Sequence, residues 1–392
     1  MNTKQPLLLI LLIGFLFIVL VIIAVYVPTS LPTNSDFSAL YNTDLALVHR
    51  VPIYELEKVQ ALAVHYSGIP DEKFFLARFP YPPWYALSTF YLGWLPAQIA
   101  ATLWFELNLV MLFLSIWLLT EGWPGRWRLL AFPLGLFFLP VLGALSVGQY
   151  DFPVLLGTAL LIYSLRRENL ALTVLGMVLL TFKPHVGALI LLSALGWLIY
   201  RGGSFGRHVT RPLLAAGAAL VASGFLADPT WLVSYQKMLL SYQNEGNVSA
   251  CSECASLPVW LSRWFVDGSS SGAVWIGIVL LCILMILFSL RRSLLQSHKL
   301  LLSAALLLTL LVSPYLYNYD FLLLLVPFAV LFSRGELLQK IIVLLCYLTP
   351  TVALILYGRA GNISLIIVSI VLLFLLYTRS ENPVIDFTVH AA

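Results

Sequence analysis

Charged side chains are scarce in this 392-residue chain: Asp, Glu, Lys and Arg make up 10% of it, where soluble domains carry about 25%. Hydrophobic residues make up 60%, above the roughly 45–50% of soluble domains. One water-soluble core cannot hide that much apolar surface, so lipid must form part of the solvent. The net charge is only +4 and no basic stripe is present, which excludes nucleic acid as a partner.

The sequence also lacks the motifs of nucleotide and hydrolase chemistry. It contains no Walker loop, dinucleotide glycine fingerprint, HExxH or GxSxG. Neither a nucleotide nor a redox cofactor is therefore expected. A divalent metal is not expected either, although Asp36 with Asp151 or Asp320 would offer carboxylates if the fold brought them together.

Cysteine is nearly absent as well, with four in the chain. Cys282 and Cys346 lie inside apolar runs and are expected to behave as small buried hydrophobes. Cys251 and Cys254 form the one close pair. In an oxidising compartment this pair is expected to form a local disulfide, because nothing completes a zinc site.

What the chain has in abundance is long apolar runs. The first, at 6–27, has no cleavage signature after it and is expected to be an uncleaved membrane helix. Lipid permits only helices or closed barrels, and nothing here alternates with a period of two. The sequence therefore predicts an all-α, polytopic transmembrane protein of about 12 spans, forming a single domain over 1–392. The later runs cover roughly 82–120, 129–147, 151–165, 170–182, 184–200, 212–227, 273–290, 300–312, 318–333, 338–357 and 361–377.

The longest run, 82–120, is expected to hold one full crossing and a re-entrant or interfacial helix, with a break near Pro96. Arginines and lysines in the short connections predict that those connections and both termini are cytoplasmic. The long connections 28–81 and 228–272 then lie outside a cell membrane. Within the first of them, helices in the membrane interface are expected at Leu40 to Val48 and Leu56 to Tyr66.

This topology sends five polar clusters to the extracytoplasmic side. An ionisable group at membrane depth costs about 2.5–3.5 kcal/mol, so such groups are functional candidates. The candidate residues are Asp36, Arg78, Tyr81, Gln149, Asp151, Lys183, His185, Asn318, Tyr319 and Asp320.

Two of these clusters suit group transfer to a hydroxyl. Asp36, just beyond the first span, is placed to accept a proton from an acceptor hydroxyl, or else to cap the helix that follows. Lys183 is suited to a phosphate oxygen, with His185 as a further donor. The alternative for Lys183 is that its side chain reaches to the nearby membrane interface.

The other three clusters suit sugar recognition or anchoring. Gln149 and Asp151 are suited to hydrogen-bond sugar hydroxyls, although Asp151 could equally cap a helix. The segment 313–320 combines three tyrosines with Asn318 and Asp320, which is typical of a sugar subsite. Arg78 and the Tyr81-Pro82-Pro83 motif favour an anchor at headgroup depth.

The order of these motifs resembles a known family. Asp36-Phe37, Tyr81-Pro82-Pro83, Gly148-Gln149, Lys183-Pro184 and Ser313-Pro314 occur in that order over roughly 30–330. The pattern is similar to the polyprenol-phosphate-mannose-dependent α-mannosyltransferases of the C-type (GT-C) glycosyltransferase superfamily. It departs from them at Asn318, where that family often has a histidine.

This resemblance implies an inverting enzyme that moves mannose from polyprenyl-phosphate-mannose to an extracytoplasmic glycolipid or glycan. By resemblance Asp36 is the base, and Lys183 and Arg78 contact the donor phosphate. Gln149, Asn318 and Tyr319 are implied to contact the sugar or the phosphate.

Two other functions fit parts of the sequence. A lipid-linked glycan ligase or polymerase would use a pyrophosphate donor and outer-loop arginines, of which Arg78 and Arg263 are the suggestive ones. A lipid-sugar transporter or flippase would carry no chemistry and is expected to show paired repeats, which the sequence does not contain.

Overall fold

The computed structural model describes residues 23, 25–32, 35–67, 78–245, 254–265, 270–289 and 296–379. Throughout this described part, every regular element is a helix. Cys254 and Tyr317 form an isolated antiparallel β-bridge. The all-α prediction is confirmed. Both termini and nearly all of the expected span at 6–27 lie outside the described residues.

The helices are named here in chain order. They are α1 (Asp36–Val48), α2 (Leu56–Ser67), α3 (Pro83–Thr89), α4 (Ala97–Leu119), α5 (Gly125–Leu136), α6 (Leu139–Val147), α7 (Asp151–Arg167), α8 (Leu170–Leu180), α9 (Pro184–Arg201), α10 (Gly203–Ala227), α11 (Trp231–Glu245), α12 (Leu257–Phe265), α13 (Ser270–Ser289), α14 (His298–Val312), α15 (Leu325–Arg334), α16 (Leu337–Tyr357) and α17 (Ile363–Arg379).

Four helical segments of the described chain are long and apolar enough to cross a membrane: α4, α9, α10 and the interrupted segment Leu337–Thr378. The pair α5 and α6, bent by 52°, makes a fifth if it is one span. This is fewer than the twelve expected, because helices such as α8, with 11 residues, are shorter than the roughly 20 residues of a straight crossing. The protein is nevertheless an integral membrane protein by the length and composition of these helices.

The outward faces of these helices are apolar, as lipid requires. Val110 on α4 is 60% exposed, Leu214 on α10 is 68% exposed and Ile355 on α16 is 70% exposed. Exposed apolar side chains on the helices that are long enough to cross a membrane are expected to face lipid.

The region 82–120 divides as its proline predicted. Pro96 caps the 23-residue helix α4, and before it lie α3 and a 3-10 segment, Phe90–Trp94. The fixed φ of proline suits the first residues of a helix and breaks the element before it. One long helix therefore follows one short helix in this run.

The two helices expected in the connection 28–81 are present as α1 and α2. Helix α1 packs against the 3-10 segment Phe90–Trp94, where Gly93 touches the α1 backbone. A Cβ at Gly93 would lie 2.4 Å from the Asp44 carbonyl oxygen, so a side chain there would push α1 away. Because Gly93 has no side chain, α1 can pack closely against this segment.

Helices α7 and α8 approach each other through glycine. A Cβ on Gly157 would lie 2.7 Å from the Gly176 carbonyl oxygen, and a Cβ on Gly176 would lie 2.8 Å from the Gly157 carbonyl oxygen. Small residues allow this backbone contact between membrane helices, where dispersion and packing drive association. The contact fixes the position of α7, whose first residue is Asp151.

The turn between α6 and α7 brings another part of the site to α1. Gly148 ends α6 with a left-handed φ of 66°, and its carbonyl oxygen accepts a hydrogen bond from the Trp104 indole at 2.8 Å. A Cβ at Gly148 would lie 2.6 Å from the Cβ of Phe37 on α1. The turn therefore requires glycine both for its backbone conformation and for its contact with α1.

Gly148→Ala is expected to destabilise the fold, because left-handed backbone costs a non-glycine residue about 1–2 kcal/mol and the new methyl group displaces Phe37. Gly196→Ala is the matched control, since a Cβ there meets nothing within 4 Å. Thermal unfolding in detergent should show a lower midpoint for the first variant alone. Equal midpoints would contradict the role given to this turn.

Candidate active site

Four segments that are distant in sequence meet at one place: the start of α1, the turn before α7, the residue before α9 and the 3-10 segment Asn318–Leu324. Each contributes a polar side chain that the sequence had singled out: Asp36, Gln149 with Asp151, Lys183, and Asp320. A hydrogen bond joins Gln149 to Asp36, and ion pairs join Lys183 to Asp151 and Asp320.

Lys183 lies at the centre of what we call the ion cluster, which comprises Lys183, Asp151 and Asp320. The Lys183 ammonium is 2.9 Å from Asp151 and 2.5 Å from Asp320. Lys183 and Asp320 are each 2% exposed, and Asp151 is fully buried. A buried ammonium is tolerated when carboxylates pair with it, and removing one partner then leaves an uncompensated charge.

The backbone also holds Asp320 in place. Its second carboxylate oxygen accepts a hydrogen bond at 2.6 Å from the Tyr317 backbone N–H, which closes the start of the 3-10 segment. The chain just before α12 braces that segment, because the Ala255 N–H donates to the Leu316 carbonyl at 2.8 Å. Cys254 beside it is disulfide-bonded, while its expected partner Cys251 lies outside the described residues.

Asp36 lies beside the ion cluster and is only partly buried. One carboxylate oxygen accepts a hydrogen bond from the Gln149 amide at 2.9 Å. The Tyr150 hydroxyl donates to the Asp36 backbone carbonyl. The carboxylate is therefore held in a defined orientation while keeping access to the outside.

Burial raises the pKa of Asp36 from its ordinary 3.8 to about 6, since a charged carboxylate loses its hydration there. The positive charge of Lys183 acts in the opposite direction, the negative charge of Asp320 reinforces the rise, and a hydrogen bond from Tyr319 opposes it. A carboxylate with a pKa close to neutral is suited to take up a proton during a reaction.

Aromatic rings form one wall beside these groups. The Tyr81 ring meets the Tyr150 ring at 4.8 Å between centroids and lies near-parallel to the His185 ring at 6.5 Å. The Tyr54 hydroxyl fixes the Tyr81 backbone by donating to its carbonyl at 2.7 Å. The Tyr319 ring lies 5.8 Å from the Lys183 ammonium. Aromatic faces of this kind are suited to the apolar faces of a sugar.

The structure brings most of the predicted residues together. Asp151, Lys183 and Asp320 form the ion cluster, and Asp36, Gln149 and Tyr319 lie beside it. Tyr81 and His185 form the adjoining wall. Asn318 is half-buried at the start of the same 3-10 segment. Arg78 is half-buried, and its guanidinium donates to the Ser241 hydroxyl on α11 at 3.4 Å.

Three alternatives that the sequence left open are wrong in this fold. Ser35, and not Asp36, caps α1 with its side chain. Asp151 is the first residue of α7, and its carboxylate contacts Lys183 instead of capping the helix. The Lys183 side chain does not extend away from the protein, because its ammonium is buried between two acids.

Sequence reasoning missed two features of this site. It treated Lys183, Asp151 and Asp320 separately, although an isolated lysine among apolar runs is expected to find acidic partners. It also passed over Asp44, which is fully buried on α1 and accepts a hydrogen bond from the Thr89 hydroxyl at 3.2 Å. Burial raises the pKa of Asp44 well above its ordinary value, because a charged carboxylate loses its hydration there.

The arrangement of the acidic side chains decides whether they could hold a metal ion. Across the described residues, no three His, Cys, Asp or Glu side chains are placed to share a metal ion. Lys183 lies between Asp151 and Asp320, where a cation would otherwise sit.

A membrane-embedded, all-helical protein with acids, amides and tyrosines gathered at the helix ends has the attributes of a membrane glycosyltransferase. A family model described as glycosyltransferase family 87 matches residues 79–314. That is well over half of the chain, so this protein belongs to glycosyltransferase family 87. No curated protein and no solved structure matches the chain.

The matched region does not contain the whole site. It includes Gln149, Asp151 and Lys183, but Asp36 lies before it and Asp320 lies after it. Family membership therefore establishes a membrane glycosyltransferase, while the roles of individual residues have to be argued from the geometry.

Lys183→Met is expected to destabilise the protein by about 3–5 kcal/mol, because Asp151 and Asp320 would be left buried without a cation. Adding Asp151→Asn to that variant should recover part of the loss. Lys58→Met is the control, since the Lys58–Glu55 pair is exposed and such pairs contribute little. If the midpoint shifts of Lys183→Met and Asp151→Asn simply add in the double variant, the two residues do not interact and the ion cluster would be contradicted.

Proposed function

We propose that this glycosyltransferase is an inverting α-mannosyltransferase that uses polyprenyl-phosphate-mannose as donor and an extracytoplasmic glycolipid or glycan as acceptor. The observation that carries the proposal is the pairing of a partly exposed carboxylate, Asp36, with a buried ammonium, Lys183, close beside it. One group is suited to remove a proton from an acceptor, and the other to offset charge on a departing phosphate. The identity of the sugar rests on the order of the sequence motifs.

In the proposed reaction, Asp36 accepts the proton of an acceptor hydroxyl. The hydroxyl oxygen attacks the anomeric carbon of the sugar and forms the new glycosidic bond. The bond from that carbon to the phosphate oxygen breaks, and its electron pair leaves with the polyprenyl phosphate. The donor is an activated glycosyl phosphate, so the step needs no nucleotide.

Lys183, Arg78 and His185 are proposed to contact the donor phosphate. Lys183 already faces two carboxylates. We propose that the phosphate approaches the ammonium from the side that these carboxylates leave open. Positive charge placed where negative charge develops lowers the barrier to departure of the phosphate.

The sugar is proposed to lie between the Tyr81 and Tyr319 rings. Both rings would offer faces to it, and Gln149, Asp151, Asn318 and Asp320 would offer hydrogen-bonding groups. The Gln149 side chain is nearly fully buried, and its amide is already oriented by Asp36.

We further propose about twelve spans in a cell membrane, with both termini cytoplasmic and the site outside. The connections 28–81 and 228–272 of this single domain would then be extracytoplasmic, with α1 carrying the base. Supporting this count, the segment Leu337–Thr378 has 42 residues, about twice what one crossing needs. The shorter apolar helices would cross with kinks or polar ends.

Asp36→Asn is expected to lower transfer by about 10²–10⁴-fold, the range for loss of a general base, without weakening donor binding. Purified protein would be given radiolabelled polyprenyl-phosphate-mannose and a membrane glycolipid extract. Asp44→Asn is the control, since Asp44 lies on the same helix but is hydrogen-bonded to Thr89 instead of Gln149, and this variant should keep full activity. Undiminished transfer by Asp36→Asn would rule Asp36 out as the base.

The same assay should depend on pH. Because the base must be ionised, kcat/KM is expected to rise with pH and to reach half of its plateau near the Asp36 pKa of about 6. Gln149→Leu removes a hydrogen bond to the ionised carboxylate, so its midpoint should move to higher pH. A profile that stays flat from pH 5 to 8 would count against Asp36.

A further inference from the structure

A groove of about 520 Å³ lies between α8, α9 and α10. Its walls are almost entirely apolar, and they extend along α10 from Gly203 to Leu220. The 17 residue-to-residue steps between them correspond to about 25 Å of helix. The groove therefore has the length and lining for an extended hydrocarbon chain.

The groove has one cationic residue in its wall, Arg207. Helices α9 and α10 are both long enough to cross the membrane and are joined at Gly202, so their turn lies at a membrane surface. Helix α10 has 25 residues, about 37 Å, against about 30 Å of hydrocarbon. Arg207, its fifth residue, thus lies near the depth of the lipid phosphates.

Other basic residues surround Arg207. Arg201 and Arg211 are exposed near the same turn, and His208 is exposed beside it. In the described part of the chain, none of these arginines forms an ion pair with an acid. The sequence has no Asp or Glu between Glu168 and Asp228. The positive charge at this end of the groove is not neutralised by its own helices.

We propose that this groove binds an anionic phospholipid of the surrounding bilayer, with one acyl chain in the groove and the phosphate at Arg207. Basic residues between membrane helices at headgroup depth attract anionic lipids, at about fivefold in affinity for each basic side chain near the surface. The proposal does not depend on the transfer reaction or on its donor.

This lipid is distinct from a glycosyl donor. Lys183 precedes the first residue of α9 and Arg201 is its last, so 18 residues of helix, about 27 Å, separate the two ends. A phosphate at Arg207 is therefore far from Asp36 and the ion cluster. A single lipid phosphate cannot occupy both places.

The structure offers a substitution that fills the groove. Gly217 lines it, and a Cβ at that position meets nothing within 4 Å. Gly217→Leu is therefore expected to fold and to occupy the space of the acyl chain. Gly196→Leu is its matched control, because it also has open space but does not line the groove.

Lipid binding would be measured by native mass spectrometry of the full-length protein in detergent, titrated with phosphatidylglycerol or phosphatidylcholine of the same chains. Wild type should retain one phosphatidylglycerol at least fivefold more tightly than phosphatidylcholine. Arg207→Gln should lower phosphatidylglycerol affinity about fivefold and leave phosphatidylcholine affinity unchanged. Gly217→Leu should weaken both lipids, while Gly196→Leu and Arg126→Gln should match wild type.

Two further binding experiments, with inorganic phosphate and with polyprenyl phosphate, distinguish the possible sources of the phosphate that binds at Arg207. Inorganic phosphate should not displace the bound phosphatidylglycerol, and equal competition would overturn a lipid site. Polyprenyl phosphate should bind at least as well to Gly217→Leu as to wild type. Loss of polyprenyl phosphate binding in that variant would assign the groove to the donor chain and overturn the proposal, as would a wild-type protein that shows no lipid preference.

Discussion

An ammonium group in an apolar surrounding needs partners, and Lys183 has two, Asp151 and Asp320. The second lies 137 residues further along the chain. Because each of the three groups would be costly to bury alone, they hold the starts of α7, α9 and the 3-10 segment Asn318–Leu324 at one point. The position of every other group in the site follows from this arrangement.

Asp36 differs from the two carboxylates of the ion cluster in what surrounds it. Asp151 and Asp320 contact the Lys183 ammonium directly. Asp36 is hydrogen-bonded to the Gln149 amide, is influenced by the Lys183 charge and remains partly exposed. Burial then dominates and raises its pKa to about 6. Similar side chains thereby acquire different properties: two orient a cation, and one is able to gain and lose a proton near neutral pH.

The sequence predicted the helical fold, the break at Pro96 and the two helices of the first connection, because each has a local cause. Apolar runs and proline act within a few residues of themselves. It also selected Asp36, Gln149, Lys183 and Asp320, since polar groups between apolar runs are expensive. Their pairing was not predicted, because it depends on contacts such as Gly148 against Phe37 and Gly157 against Gly176, which join distant parts of the chain. The count of about twelve spans is not confirmed by helix length in the described residues, since hydropathy does not show where a run stops being helical.

The family assignment and the geometry support different parts of the account. Membership in glycosyltransferase family 87 rests on residues 79–314 and establishes the class of enzyme. Asp36, the proposed base, and Asp320, one partner of Lys183, lie outside that range, so their proposed roles rest on the contacts around the ion cluster. The central claim is that the donor sugar sits between Asp36 and Lys183.

A cryo-electron microscopy structure with a non-transferable polyprenyl-phosphate-mannose analogue would test that claim most directly. The account predicts the phosphate in contact with the Lys183 ammonium, and the anomeric carbon with one face open toward Asp36, separated from it by the space of one hydroxyl group. A sugar bound away from Asp36, with the phosphate on a different cation, would contradict it.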